Sequence, residues 1–125
     1  MRKIFVYGTL LTGESNHTVA APYLLQAEPG RVRGRLYDAA QGRYPALVLD
    51  PGGEWIEGEW FLVTPEGVAR MDELEEFFGP DHPDNLYERV AVCDADTGQE
   101  GEVYVWRDHR SCPPIRGRSW RTYRR

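Results

Sequence analysis

The chain lacks any long apolar run. None approaches the roughly 20 residues of a membrane span, so a membrane-spanning helix is not expected. The opening Met1-Arg2-Lys3-Ile4-Phe5-Val6 passes straight into a strand-like segment. It has neither the apolar core nor the cleavage site of a secretory leader, which makes a cytoplasmic location the expectation. Cysteine is scarce. Cys93 lies in a strand-like run and reads as a buried thiol; Cys112 precedes Pro113-Pro114 in a loop. Neither has metal-ligand spacing. A disulfide stays open from sequence, though a reducing cytoplasm argues against one. The three histidines, His17, His82 and His109, are scattered. Neither a metal site nor a cofactor is expected. There is no internal repeat and no low-complexity tract.

What is present describes an ordinary folded chain. With 41% apolar and 28% charged residues, the sequence can build a core and does not read as disordered. Its 125 residues suit one domain spanning 1–125. The net charge of −5 is unevenly spread: residues 107–125 hold seven arginines against one aspartate, leaving −11 on the preceding 106. Such a basic tail suits nucleic acid or anionic lipid. Here Trp120 and Tyr123 interleave the arginines, so the tail is expected to pack against the acidic body. No nucleic-acid motif is present. Oligomeric state is not legible.

Hydrophobic patterning predicts strands at residues 3–7, 32–38, 46–49, 55–63, 87–93 and 101–106. A hairpin turn falls at Asp96-Thr97-Gly98. Residues 14–26 are ambiguous, with a short helix after Ser15 or Asn16 broken near Pro22. Glu28-Pro29-Gly30 reads as a turn. A helix is predicted over 65–78, with Thr64 as its N-cap and Pro65 at its first position. Strands come in runs rather than in strict alternation with helices. That pattern favours an α+β domain with a mostly antiparallel or barrel-like sheet.

Two features point to chemistry. The first is Tyr7-Gly8-Thr9-Leu10 after Ile4-Phe5-Val6. A glycine turn at a strand end lets backbone approach a ligand, and its successive N–H groups can form a nest for an anion. Most such turns bind nothing. The second feature is Glu75. At about 100° per residue it falls between Val68 and Met71, on a stripe completed by Leu74 and Phe78. Glu73 and Glu76 fall on the polar side. Either Glu75 reaches solvent at a frayed helix end, or it pairs with an arginine, or it is a general base with a tuned pKa.

Taken in order, the motifs are Phe5-Val6-Tyr7-Gly8-Thr9-Leu10, Asn16-His17, Gly34-Arg35-Leu36-Tyr37-Asp38, Tyr44-Pro45-Ala46-Leu47, Gly58-Glu59-Trp60, Met71-Asp72-Glu73-Leu74-Glu75, Asn85-Leu86-Tyr87-Glu88-Arg89 and Val103-Tyr104-Val105-Trp106. This series resembles the gamma-glutamylcyclotransferase-like family, which includes AIG2-like plant proteins and small YtfP-type bacterial proteins. The resemblance spans roughly residues 3 to 120. It implies a small mixed β-barrel with flanking helices and a cavity at one end. It implies that Tyr7, Gly8, Thr9 and Leu10 line that cavity, with Tyr87 near it, and that Glu75 is the catalytic glutamate. Two departures bear on the substrate. Glu76 stands where glycine is frequent, and the segment from Phe78 to Asn85 is long and Pro-rich.

The implied reaction is release of 5-oxoproline from a γ-glutamyl amino acid or a γ-glutamylamine, by attack of the substrate's own α-amine on its γ-carbonyl. Glu75 would serve as general acid/base and the turn N–H groups as oxyanion donors. A small-molecule substrate is the only partner implied. A binding module that keeps the cavity but lacks turnover is the competing reading. Asp72 is expected to cap or pair, Arg89 to form a structural ion pair, and Tyr44, Tyr104 and Trp106 to be barrel aromatics.

Overall fold

A computed structural model describes residues 1–124. In chain order it contains β1 (Arg2–Val6), α1 (His17–Ala20), a 3-10 turn (Ala21–Tyr23), β2 (Leu24–Asp38), β3 (Pro45–Leu49), β4 (Glu54–Val63), α2 (Pro65–Glu75), β5 (Glu88–Cys93), β6 (Glu100–Val105) and α3 (Trp120–Arg124). The strands form one sheet in the order β3-β2-β4-β1-β6-β5. β1 and β6 run parallel and the other neighbours antiparallel. The two ends of the sheet curl toward each other. Beyond β6, the Trp106 N–H donates to the Leu47 carbonyl in β3 at 2.9 Å, and beyond β5 the Ala95 N–H donates to the Arg31 carbonyl in β2 at 2.7 Å. The result is a mixed half-barrel with few flanking helices, the α+β architecture expected from the sequence.

β1 shows why the chain folds this way. Successive strand side chains point to opposite faces. Ile4 and Val6 join one buried cluster with Phe61, Met71 and Trp106, beneath α2. Phe5 and Tyr7 join a second cluster with Leu36, Trp60 and Trp120 in the curl of the sheet. β1 therefore carries both cores, and the turn that follows it emerges between them. The Trp60 indole N–H donates to buried Asp94 at 2.8 Å. That carboxylate also accepts from the N–H groups of Arg31 (3.0 Å), Asp96 (2.9 Å) and Thr97 (2.9 Å). Burial alone would raise its pKa. The hydrogen bonds from Thr97, Trp60, Arg31 and Asp96 prevail and hold it well below the usual carboxylate range.

Three expectations are corrected. Glu28-Pro29-Gly30 is not a turn: it lies inside β2, paired with Trp60, Glu59 and Gly58. The N–H and carbonyl of Arg31 face away from β4, toward the 94–95 loop. Pro29, two residues earlier, therefore turns its missing N–H to that same outer side, where no ladder bond is lost. Helix α2 stops at Glu75, not at residue 78. Glu76 takes a left-handed conformation (φ 53°, ψ 49°) and its N–H meets the carbonyls of Asp72 and Glu73. The turn brings Phe77 into the core and leaves Phe78 exposed. Cys93 is exposed rather than buried, because it ends β5 at the sheet's edge; it and Cys112 are both free thiols.

The basic tail packs back. Trp120 is fully buried, the Tyr123 hydroxyl donates to Asp38 at 2.7 Å, and Ile115 N–H donates to Leu36 at 2.9 Å. Arg121 bonds to the Thr12 carbonyl and lies 3.5 Å from Glu59, and Arg118 lies 3.6 Å from Glu54. Arg125 lies outside the described residues. Among those residues, no helix is long and apolar enough to cross a membrane.

Candidate active site

The turn after β1 and the C-terminal end of α2 face each other across a cavity of about 260 Å³. Tyr7, Gly8, Thr9 and Leu10 line it from one side, Glu75 from the other, and Tyr87 closes a third wall. All six residues singled out from sequence thus meet at one place.

The turn has a one-sided hydrogen-bond pattern. Its carbonyls are occupied: Gly8 accepts from Leu11 N–H at 3.1 Å, Thr9 from Asn16 N–H at 2.8 Å, and Leu10 lies 3.0 Å from His17 Nδ1. Among the described residues, the N–H groups of Gly8, Thr9 and Leu10 bond to nothing. Three backbone donors therefore remain at the cavity wall, the composition of an anion nest. The Asn16 amide donates to Thr9 Oγ1 at 3.1 Å, which leaves the Thr9 hydroxyl proton to point elsewhere. Packing also requires glycine at position 8. A Cβ there would sit 2.6 Å from Pro45 Cγ and 2.8 Å from Cδ, so the missing side chain makes room for the proline ring.

The phenols around the cavity are committed to structure. Tyr7 donates to the Tyr104 carbonyl at 2.6 Å and accepts from Leu47 N–H at 3.1 Å, tying β1 to β6 and β3. Tyr87 donates to the Pro45 carbonyl at 2.6 Å, and Tyr104 donates to Asp72 at 2.6 Å. Burial raises the pKa of each, and the charge of Glu75 raises it further. All three stay neutral, so Tyr7 and Tyr87 offer ring surface to the cavity and no ionisable group.

Glu75 is the exception. Its carboxylate has no hydrogen-bond or ion-pair partner among the described residues, and burial alone pushes its pKa up to about 7. It keeps some exposure because it faces the cavity instead of packed side chains. Its place is fixed from one turn earlier. Asp72 accepts from Tyr104 and lies 3.3 Å from Arg89, whose guanidinium sits 5.0 Å over the Phe77 ring. Asp72 and Arg89 thus anchor the helix end while Glu75 stays unpaired.

Among the further lining residues, three with amide or charged side chains, Asn16, Arg43 and Glu76, are not singled out as site residues by the sequence. Asn16 belongs to a quoted motif, which was its only signal. Arg43 sits beside Gly42 in what reads as an ordinary loop. Glu76 reads as a polar-side residue of a helix that in fact ends before it. Tyr44 and Tyr104, expected as barrel aromatics, also line the cavity. Arg43 is the only cationic side chain lining it among the described residues. Also among those residues, no cluster of three or more histidine, cysteine or acidic side chains could hold a metal ion.

Comparison with known proteins agrees with the motif series. The family described as gamma-glutamyl cyclotransferase, AIG2-like, matches residues 4–122. The gamma-L-glutamyl-butirosin B gamma-glutamyl cyclotransferase of Niallia circulans is 36% identical over 126 residues, covering 99% of this chain and 78% of that protein. The human gamma-glutamylaminecyclotransferase is 33% identical over 82 residues, covering 60% of this chain and 54% of that protein. The crystal structure of an AIG2-like protein from Mus musculus superposes with a TM-score of 0.67 at 27% identity, over 85% of this chain and 77% of that one.

Proposed function

We propose that this chain, which belongs to the gamma-glutamyl cyclotransferase, AIG2-like family, releases 5-oxoproline from a γ-glutamyl substrate with Glu75 as its general acid and base. One observation carries the reading: a carboxylate without partners, facing a cavity and titrating at about 7. A structural glutamate on an apolar helix face would be paired, since an unpaired buried charge is unfavourable. Shifted carboxyl groups in clefts are a mark of acid–base sites.

The chemistry follows from the placement. The substrate's α-amine arrives as an ammonium group and cannot attack until it loses a proton. Glu75, ionised, accepts that proton. The amine nitrogen then bonds to the γ-carbonyl carbon, closing a five-membered ring, and the carbonyl oxygen becomes an oxyanion. The free N–H groups of Gly8, Thr9 and Leu10 are the donors suited to receive it. Glu75, now a carboxylic acid, returns its proton to the leaving nitrogen as the C–N bond breaks. It takes up the surplus proton of the ring nitrogen, which passes to the released amine. The substrate's positive charge thus ends on the amine product. Arg43 is the cation suited to the glutamyl α-carboxylate.

General acid–base catalysis of this kind contributes roughly 10²–10⁴-fold. The test is 5-oxoproline release from γ-glutamyl amino acids and γ-glutamylamines, followed by mass spectrometry for wild type and Glu75→Gln. Release by wild type with a loss of about 10²-fold or more in the variant supports the reading. Equal release by the two proteins removes Glu75 as the base. Ligand binding without release by wild type favours the binding module.

A further inference from the structure

Glu76 holds a conformation that glutamate does not favour. Its left-handed backbone (φ 53°, ψ 49°) is the one helix ends reach most readily with glycine. The surrounding bonds enforce it: its N–H meets the carbonyls of Asp72 and Glu73, and its carbonyl accepts from Leu86 N–H at 3.0 Å. Glycine would make the same backbone bonds without strain. What glutamate adds is its side chain, which lines the cavity at the exposed rim and has no hydrogen-bond or ion-pair partner among the described residues.

The charges in the cavity say what that side chain meets. A γ-glutamyl head group carries one ammonium and one carboxylate. Glu75 faces the first and Arg43 suits the second. Glu76 is then a surplus anion, and it stands at the rim, where the other half of the substrate must lie. An ammonium on the leaving group would balance it. A carboxylate beside the scissile nitrogen would be repelled, and such repulsion is itself a source of specificity.

We infer that Glu76 is a specificity-determining residue, selecting γ-glutamylamines whose leaving group bears a second, remote ammonium over γ-glutamyl α-amino acids and neutral amides. This rests on the reading that the cavity takes a γ-glutamyl group.

The experiment compares kcat/KM of the full chain on γ-glutamyl-1,4-diaminobutane, γ-glutamyl-n-butylamine and γ-glutamyl-alanine, at low and high salt. Wild type, Glu76→Gln and Glu76→Gly are measured side by side. An exposed charge pair supports a diamine-over-butylamine preference of about two- to fivefold at low salt. The preference resides in KM, shrinks at high salt as screening takes hold, and collapses toward one in both variants. Glu76→Gly removes the carboxylate while relaxing the backbone, so its loss of preference cannot be assigned to misfolding. Equal kcat/KM for diamine and butylamine in wild type, or a preference that survives in both variants, overturns the role of Glu76 and leaves the cyclisation reading standing. No 5-oxoproline from any of the three overturns that reading, and this inference with it.

Discussion

Replacing Glu75 by glutamine should make the protein more stable at pH 8 while removing its turnover. Glutamine nearly matches glutamate in shape but never ionises. In the folded protein the Glu75 carboxyl titrates at about 7 instead of 4.5 because burial disfavours its charge. Each tenfold change in proton affinity corresponds to about 1.4 kcal/mol, which sets an upper limit of roughly 3 kcal/mol. Solvent in the open cavity screens the charge and lowers this to about 1–3 kcal/mol. The sign follows from linkage. A group whose pKa is raised by folding contributes stability that is fully present below its unfolded value, near 4.5. That contribution is lost as pH rises through about 7. Wild type therefore loses stability across this window relative to Glu75→Gln. Denaturant unfolding at pH 4 and pH 8 reads the difference, with unchanged m-values showing that compactness is unaltered. The two proteins should agree near pH 4 within about 0.5 kcal/mol, and the variant should exceed wild type at pH 8 by about 1–3 kcal/mol. A variant equal to or weaker than wild type at pH 8, or a difference identical at both pH values, would refute the claim that Glu75 is buried without a partner.

Other perturbations probe the scaffold. Asp94→Asn puts an amide where the carboxylate accepts from Trp60, Arg31, Asp96 and Thr97; it should destabilise by about 2–3 kcal/mol at pH 7 in urea unfolding. Because folding lowers the Asp94 pKa, that deficit should narrow as pH falls below about 4; a deficit constant with pH would contradict it. Gly8→Ala meets the Pro45 ring at 2.6 Å and should lower stability by about 1–3 kcal/mol; an unchanged unfolding midpoint would show that Pro45 gives way freely. Trp120→Ala empties a fully buried site and should lower stability by about 3–5 kcal/mol; thermal unfolding close to wild type would mean that the tail is not part of the core.

The parts of the fold legible in the sequence are those governed by local rules. The apolar run of β1, the alternation along β4, the N-cap at Thr64, and the hairpin turn at residues 96–98 all rest on neighbours in sequence. Thr64 does accept from Gly67 N–H at 3.2 Å. What failed depended on partners far away. Pro29 sits inside a strand because its pairing with Glu59, distant in sequence, leaves its missing N–H on the outer side of β2. The end of α2 reads three residues too late because glutamate, where glycine would signal the stop, holds the left-handed position, with its carbonyl taken by the distant Leu86 N–H. Cys93 reads as a core residue until the strand order puts β5 at the edge. The site was partly legible for the same reason. Glu75 is conspicuous as a charge on an apolar stripe, and the glycine turn marks a strand end. That the two meet across one cavity, and that the Tyr7 hydroxyl is consumed by Tyr104 and Leu47, are consequences of the sheet's curl.

The central claim, that Glu75 is the base of an intramolecular cyclisation, is tested most directly by the pH dependence of 5-oxoproline release. On a γ-glutamylamine that wild type turns over, kcat/KM should rise with pH through an apparent pKa of about 7. Glu75→Gln should lose about 10²-fold or more, and its residual activity should lack that limb. A limb at 7 that persists in Glu75→Gln, or a wild-type profile flat across that range, would contradict the account.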